Sequence, residues 1–179
     1  MNYAIPALAA AVLLCASNGW AETERQLHEH QHGHGELQLV LDKDQLFVQL
    51  HSPLDNLVGF EHAPANDTER QAVVSMKETL ADADKLFDFG KDSHCLLQEH
   101  EITVPETFMN HGEQDDDADH DHAELEALWQ FKCKKAPNKL TVPMLSSFSR
   151  FQELDVQFLT ENGAVAVELD SAEQEVTLP

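Results

Sequence analysis

Residues 37–50 place the tightest constraint on what this chain can fold into. Leu37, Leu39 and Leu41 alternate with polar or smaller residues, Asp42-Lys43-Asp44-Gln45 interrupts the pattern, and Leu46, Val48 and Leu50 resume it. A period of two is the mark of a strand with one buried face, and the polar break predicts a hairpin. Pairing Leu41 with Leu46 sets Leu39 opposite Val48 and Leu37 opposite Leu50, so one register gathers the apolar side chains on one face. On the other face that register brings Glu36 opposite His51, with His34 two residues away.

Other elements can be read in the same way. Asn162-Gly163, between Leu154–Glu161 and Ala164–Leu169, predicts a type I′ hairpin pairing Thr160 with Val165, Phe158 with Val167 and Val156 with Leu169. A further strand pair is expected over 94–104 and 125–132, with Trp129 and Phe131 in the core. Asn66 or Asp67 can cap a helix whose buried stripe is Val73, Met76 and Leu80 and which ends by Phe89-Gly90. The expected fold is a single α+β domain, an antiparallel sheet of hairpins with one or two packed helices. A long disordered His/Asp-rich loop, mobile over 105–122, should interrupt it, because its acidic composition offers nothing to pack.

Ala4–Ala16 is a nearly continuous run of small and apolar residues, too short to span a bilayer, and it ends at Gly19-Trp20-Ala21. Residues 1–21 therefore read as a signal peptide cleaved near Ala21, although the terminal amine is their only positive charge. Cys15 offers a lipid-anchor alternative, which Leu14 immediately before it suits poorly. Export leaves residues 22–179 as one domain, opened by a His-rich arm at 22–35. That domain keeps the full formal charge of -22, since none of the 33 acids and 11 bases lies in residues 1–21. Such a surface repels nucleic acid and anionic lipid and attracts cations, and no stable membrane insertion is expected. In an oxidising compartment Cys95 and Cys133 should form a disulfide.

The chemistry-bearing residues are imidazoles and carboxylates. His28, His30, His32 and His34 recur at spacing two, which lets neighbours in an extended segment converge on one ion. A solvated tail is the bland alternative. His111, His120 and His122 interleave with Asp115, Asp116, Asp117, Asp119 and Asp121, and the run lacks the glycine and terminal glutamate of a calcium loop. With Glu36, His51 and His62 these form the candidate metal ligands, and their imidazoles suit zinc (Zn2+), copper or nickel. His94 and His100 are better read as structural. No Gly-rich phosphate loop, nucleophile elbow, His-Glu-x-x-His or Cys-x-x-Cys is present, so no enzyme activity is expected.

Several strings together resemble a known family: His30-Gln31-His32-Gly33, Ser52-Pro53, Gly59-Phe60-Glu61-His62-Ala63-Pro64, His122 ahead of Trp129-Gln130-Phe131-Lys132-Cys133, and Leu154-Asp155-Val156-Gln157-Phe158. The chain resembles the ZrgA-type, zinc-regulated periplasmic proteins of Gram-negative bacteria, over nearly all of the mature sequence. The resemblance implies zinc binding in the periplasm and delivery to an inner-membrane ABC-type zinc uptake system, with His30, His32, His62 and His122 at matching positions. A passive periplasmic zinc or copper buffer, or a metal-dependent hydrolase, are the competing expectations.

Overall fold

The computed structural model describes residues 32–109 and 123–179. Strands β1 (His34–Asp42) and β2 (Gln45–Pro53) form the expected hairpin in the expected register, with Leu37 opposite Leu50, Leu39 opposite Val48, Leu41 opposite Leu46 and Glu36 opposite His51. The chain then makes a short helix, α1 (Leu54–Val58), and leaves it at Gly59, whose φ of 88° costs a glycine little and any other residue more. Asn66 caps α2 (Asp67–Ala81): its side chain accepts from the Glu69 amide at 3.0 Å, while the Glu69 carboxylate accepts from the Ala65 amide at 2.6 Å. Val73, Met76 and Leu80 are its buried stripe. The helix stops at Ala81, before the expected limit at Phe89-Gly90. A 3-10 turn, Ala83–Lys85, breaks the helical path, and Phe87 and Phe89 turn into the core against Trp129 and Phe131.

Strand β3 (Leu96–Thr103), helix α3 (Glu106–Met109) and strand β4 (Glu124–Lys132) follow. After β5 (Lys139–Leu140) and α4 (Met144–Ser147) come β6 (Glu153–Thr160), β7 (Gly163–Leu169) and β8 (Val176–Thr177). The main sheet has the order β3-β4-β2-β1-β6-β7, and β5 pairs with β8 in a small second sheet. Leucines of β1 and β2 join Leu125, Ala127, Trp129 and Phe131 of β4 and Leu154, Val156 and Phe158 of β6 on the buried face. Helix α2 packs there, fixed by the Trp129 indole N–H donating to the Leu80 carbonyl at 2.8 Å.

The sheet is antiparallel at every neighbouring pair but one, since β1 and β6 run parallel. The connection from β4 carries the chain over to the edge of β1, so β6 starts beside the start of β1 and Gln152 and Glu153 both donate to the Gly33 carbonyl. The β6–β7 hairpin is shifted by two residues from its expected register. Thr160 pairs with Gly163, Phe158 with Val165 and Val156 with Val167. Asn162 does not take the positive φ a type I′ turn needs; its amide donates instead to the Thr160 hydroxyl at 3.0 Å. A shift of two keeps every side chain on its face, so the buried set is unchanged.

Two boundaries also move. His34 and Gly35, placed in the arm, belong to β1. Residues 105–109, placed in the mobile loop, include the helix α3, and Phe108 is 2 % exposed and stacked on Phe60 with ring centroids 5.7 Å apart. Phe108 is an apolar anchor that the acidic run following it in the sequence masked. Residues 110–122 of that loop and 22–31 of the arm lie outside the described residues.

Cys95 and Cys133 are bonded, closing a loop of sequence separation 38. Cys133→Ser is expected to lower stability by about 2–4 kcal/mol, through entropy returned to the unfolded chain. Denaturant melts of the oxidised wild type and the variant measure it; equal midpoints would show that the bond adds nothing.

Candidate metal centre

One buried amide assembles the end of the sheet where the candidate ligands gather. Asn56 of α1 is 1 % exposed. Its side-chain oxygen accepts from the Gly33 amide at 2.6 Å, and its side-chain nitrogen donates to the His34 carbonyl at 2.7 Å and to the Ser52 hydroxyl at 3.1 Å. The start of β1 is thereby tied to the helix whose exit leads through Gly59 to Phe60-Glu61-His62. Gly33 sits in this clip with φ 90°, which disfavours other residues, and a Cβ there would press on the Gln152 side chain at 3.0 Å. Next to Asn56, the half-buried guanidinium of Arg150 donates to both oxygens of Asp55, at 2.8 and 2.7 Å, and fixes the same helix from its other side.

The consequence is a set of imidazoles, each with one ring nitrogen held by an oxygen. His32 Nε2 lies 3.1 Å from Glu61 Oε1, and His34 Nδ1 lies 3.4 Å from Glu153 Oε1. His51 Nε2 pairs with Glu124 Oε2. His62 Nδ1 lies 3.0 Å from the Ala63 carbonyl and 4.0 Å from Glu69 Oε2, with its ring stacked on Phe60 at 5.1 Å. A carbonyl or carboxylate oxygen accepts, so in each neutral ring the held nitrogen carries the proton and the other offers its lone pair. That is the arrangement in which an outer oxygen orients an imidazole for a metal.

These pairs separate the sequence-derived candidates into groups. Glu61 is hydrogen-bonded to His32 and adjacent in the chain to His62, and so connects the arm's root to the Gly-Phe-Glu-His-Ala-Pro string. Glu36 and His51 face each other on the exposed side of the sheet, away from that junction. His34 turns to β6. There Glu153, Asp155 and Glu168 bring one carboxylate oxygen each within 4.8 Å of one another. Repulsion from Glu153 and a hydrogen bond with it push the Glu168 carboxyl above its usual range; desolvation and Asp155 add to this, and His34 opposes it. His28, His30, His111, His120 and His122 lie outside the described residues. His94 and His100, expected to be structural, are exposed.

Glu61, Glu124 and Glu153, which lie against His32, His51 and His34, were not among the candidates read from the sequence. For Glu61 a signal existed, since it adjoins His62 in a string already singled out. For the others none did, because an isolated glutamate in an alternating strand is the ordinary solvent-facing residue.

Fold and donor set together define an α+β domain furnished with nitrogen and oxygen ligands of the kind that hold borderline divalent cations. The model described as ZrgA family zinc uptake protein matches residues 29–178, and the chain belongs to that family. No curated protein matches it. Among the described residues, no helix is long and apolar enough to cross a membrane.

Proposed function

We propose that this chain is exported to the periplasm, with residues 1–21 removed, and captures zinc for delivery to an ABC-type uptake system in the inner membrane. The observation that carries the proposal is the His32–Glu61 hydrogen bond beside His62. It links two His-bearing segments by a carboxylate, and membership of a zinc uptake family supports zinc as the ion. His32, Glu61 and His62 form the heart of the capture site. His28 and His30 precede them on the arm, and His122 directly precedes Ala123, whose carbonyl accepts from the Leu54 amide at 2.8 Å. His111 and His120, with the acids around them, serve as a collector that raises the local cation concentration.

Zinc titration of the mature protein against a competing dye tests the capture site. Glu61→Gln with His62→Ala is expected to weaken the tightest site by about 10–100-fold or more, as loss of one ligand and of the carboxylate that orients another does. Affinity should fall on acidification, because protons compete for the imidazoles. An unchanged tight site in the double variant would overturn the assignment. Delivery, as against passive buffering, is tested by growth of a deletion strain under chelation: a growth defect relieved by added zinc supports it, and none would favour the buffer.

A further inference from the structure

The face of the main sheet turned away from the helices carries a graded pattern. Cross-strand partners align Leu159, Val40, Phe47 and Gln130 in one row, Gln157, Gln38, Gln49 and Leu128 in the next, and Asp155, Glu36, His51 and Glu126 in the third. The polarity therefore rises along the strands toward the row that holds His51. In that row His51 stands between Glu36 on β1 and Glu126 on β4. Directly opposite residues in antiparallel strands have Cβ atoms about 5 Å apart, so all three side chains can reach one point above the sheet.

A cleft of about 270 Å³ lies there, lined by Glu36, Gln38, Gln49, His51 and Glu126, with no lysine or arginine in its wall. Two of its donors are already oriented from outside. Glu124 holds His51 by Nε2 and leaves Nδ1 as the donor atom, and the Gln49 side-chain amide donates to Glu126 Oε1. Unlike a bare group of acids, the cleft combines an imidazole of fixed orientation, two carboxylates on either side of it, and amide oxygens on its floor.

We propose that this cleft is a second divalent-cation site, in which His51 Nδ1, Glu36 and Glu126 bind a first-row ion such as zinc and Glu124 positions the imidazole. One nitrogen and two carboxylates leave a coordination position for water, so the ion is held more weakly and exchanges more readily than at an all-protein four-ligand site. The site does not depend on the assignment at Glu61, because it shares no residue with it.

Long-range nitrogen–proton NMR of the histidine side chains in the full mature protein, titrated with zinc chloride, reads the two sites separately. The His51 Nδ1 resonance is expected to shift on zinc addition while Nε2 keeps its proton. Glu36→Gln with Glu126→Gln should abolish that shift and leave the His62 response intact. Glu124→Gln should weaken the His51 response by about 10-fold or more. A His51 resonance unmoved at zinc concentrations that saturate His62 would overturn the proposal, as would a shift that persists in the Glu36/Glu126 variant. Movement at His51 without movement at His62 would support the cleft while removing the capture site. Calcium serves as the oxygen-seeking control, and equal perturbation of His51 by calcium and zinc would also count against the site. All four side chains lie on the sheet surface, and the wild-type titration decides the matter even if a variant folds poorly.

Discussion

Asn56→Ala is expected to destabilise the domain by about 3–6 kcal/mol and to loosen zinc capture with it. The amide at position 56 is buried and satisfies the Gly33 N–H, the His34 carbonyl and the Ser52 hydroxyl at once. Deleting it leaves three polar groups short of a partner in a place with little room for water, each at a cost of about 1–3 kcal/mol before relaxation. The functional effect follows from position. Gly33 and His34 are the two residues after His32, and Asn56 is what holds them against α1. Once released, His32 is no longer presented to Glu61, the chain neighbour of His62. Thermal melts give the first effect, and zinc competition at a temperature where the variant remains folded gives the second. A variant of wild-type affinity but lowered stability would separate the clip from the capture site. Asn56→Asp provides a graded control, keeping the acceptor for Gly33 and losing the donor to His34.

Trp129→Ala should cost at least about 3–5 kcal/mol, the range for emptying a large aromatic site in a core. Trp129 is fully buried, meets Phe87 edge-on at 5.1 Å and donates its indole N–H to the Leu80 carbonyl. The substitution therefore opens a cavity between sheet and helix and also strips a carbonyl near the end of α2 of its partner. Trp129→Phe keeps most of the volume and loses only the donor, so comparing the two variants apportions the loss between packing and hydrogen bond. Urea unfolding followed by circular dichroism measures both; a cost below about 1 kcal/mol for the alanine variant would show that the core collapses around the gap.

What the sequence determined was local. The alternation over 37–50 dictated both the hairpin and its register, because any one-residue slip would expose every leucine. The α2 stripe and its Asn66 cap were equally readable, since a helix states its buried face within a few turns. Where local rules competed, they were less decisive. Asn162-Gly163 promised a type I′ turn, yet the Thr160 hydroxyl bonded the Asn162 amide and the strands settled two residues away with the same face buried. Phe108 passed as part of a solvated loop because Phe108-Met109, a short apolar pair ahead of the acidic run, carries no periodicity.

The metal chemistry divides in the same way. Imidazoles in quantity and an excess of acids are properties of composition that pointed to a divalent metal, and the Gly-Phe-Glu-His-Ala-Pro string carried the resemblance to a zinc-related family. Which oxygen holds which ring was settled only by tertiary structure. His32 and Glu61 are separated by 29 residues and are brought together by α1 and the Asn56 clip. Glu124 and Glu126 reach His51 because β4, from much later in the chain, lies against β2, and Glu153 reaches His34 because β6 runs parallel to β1 and starts beside it. Strand order depends on which edges remain open once the hairpins have formed and on where the long connections can run, and neither is a property of any short window of residues.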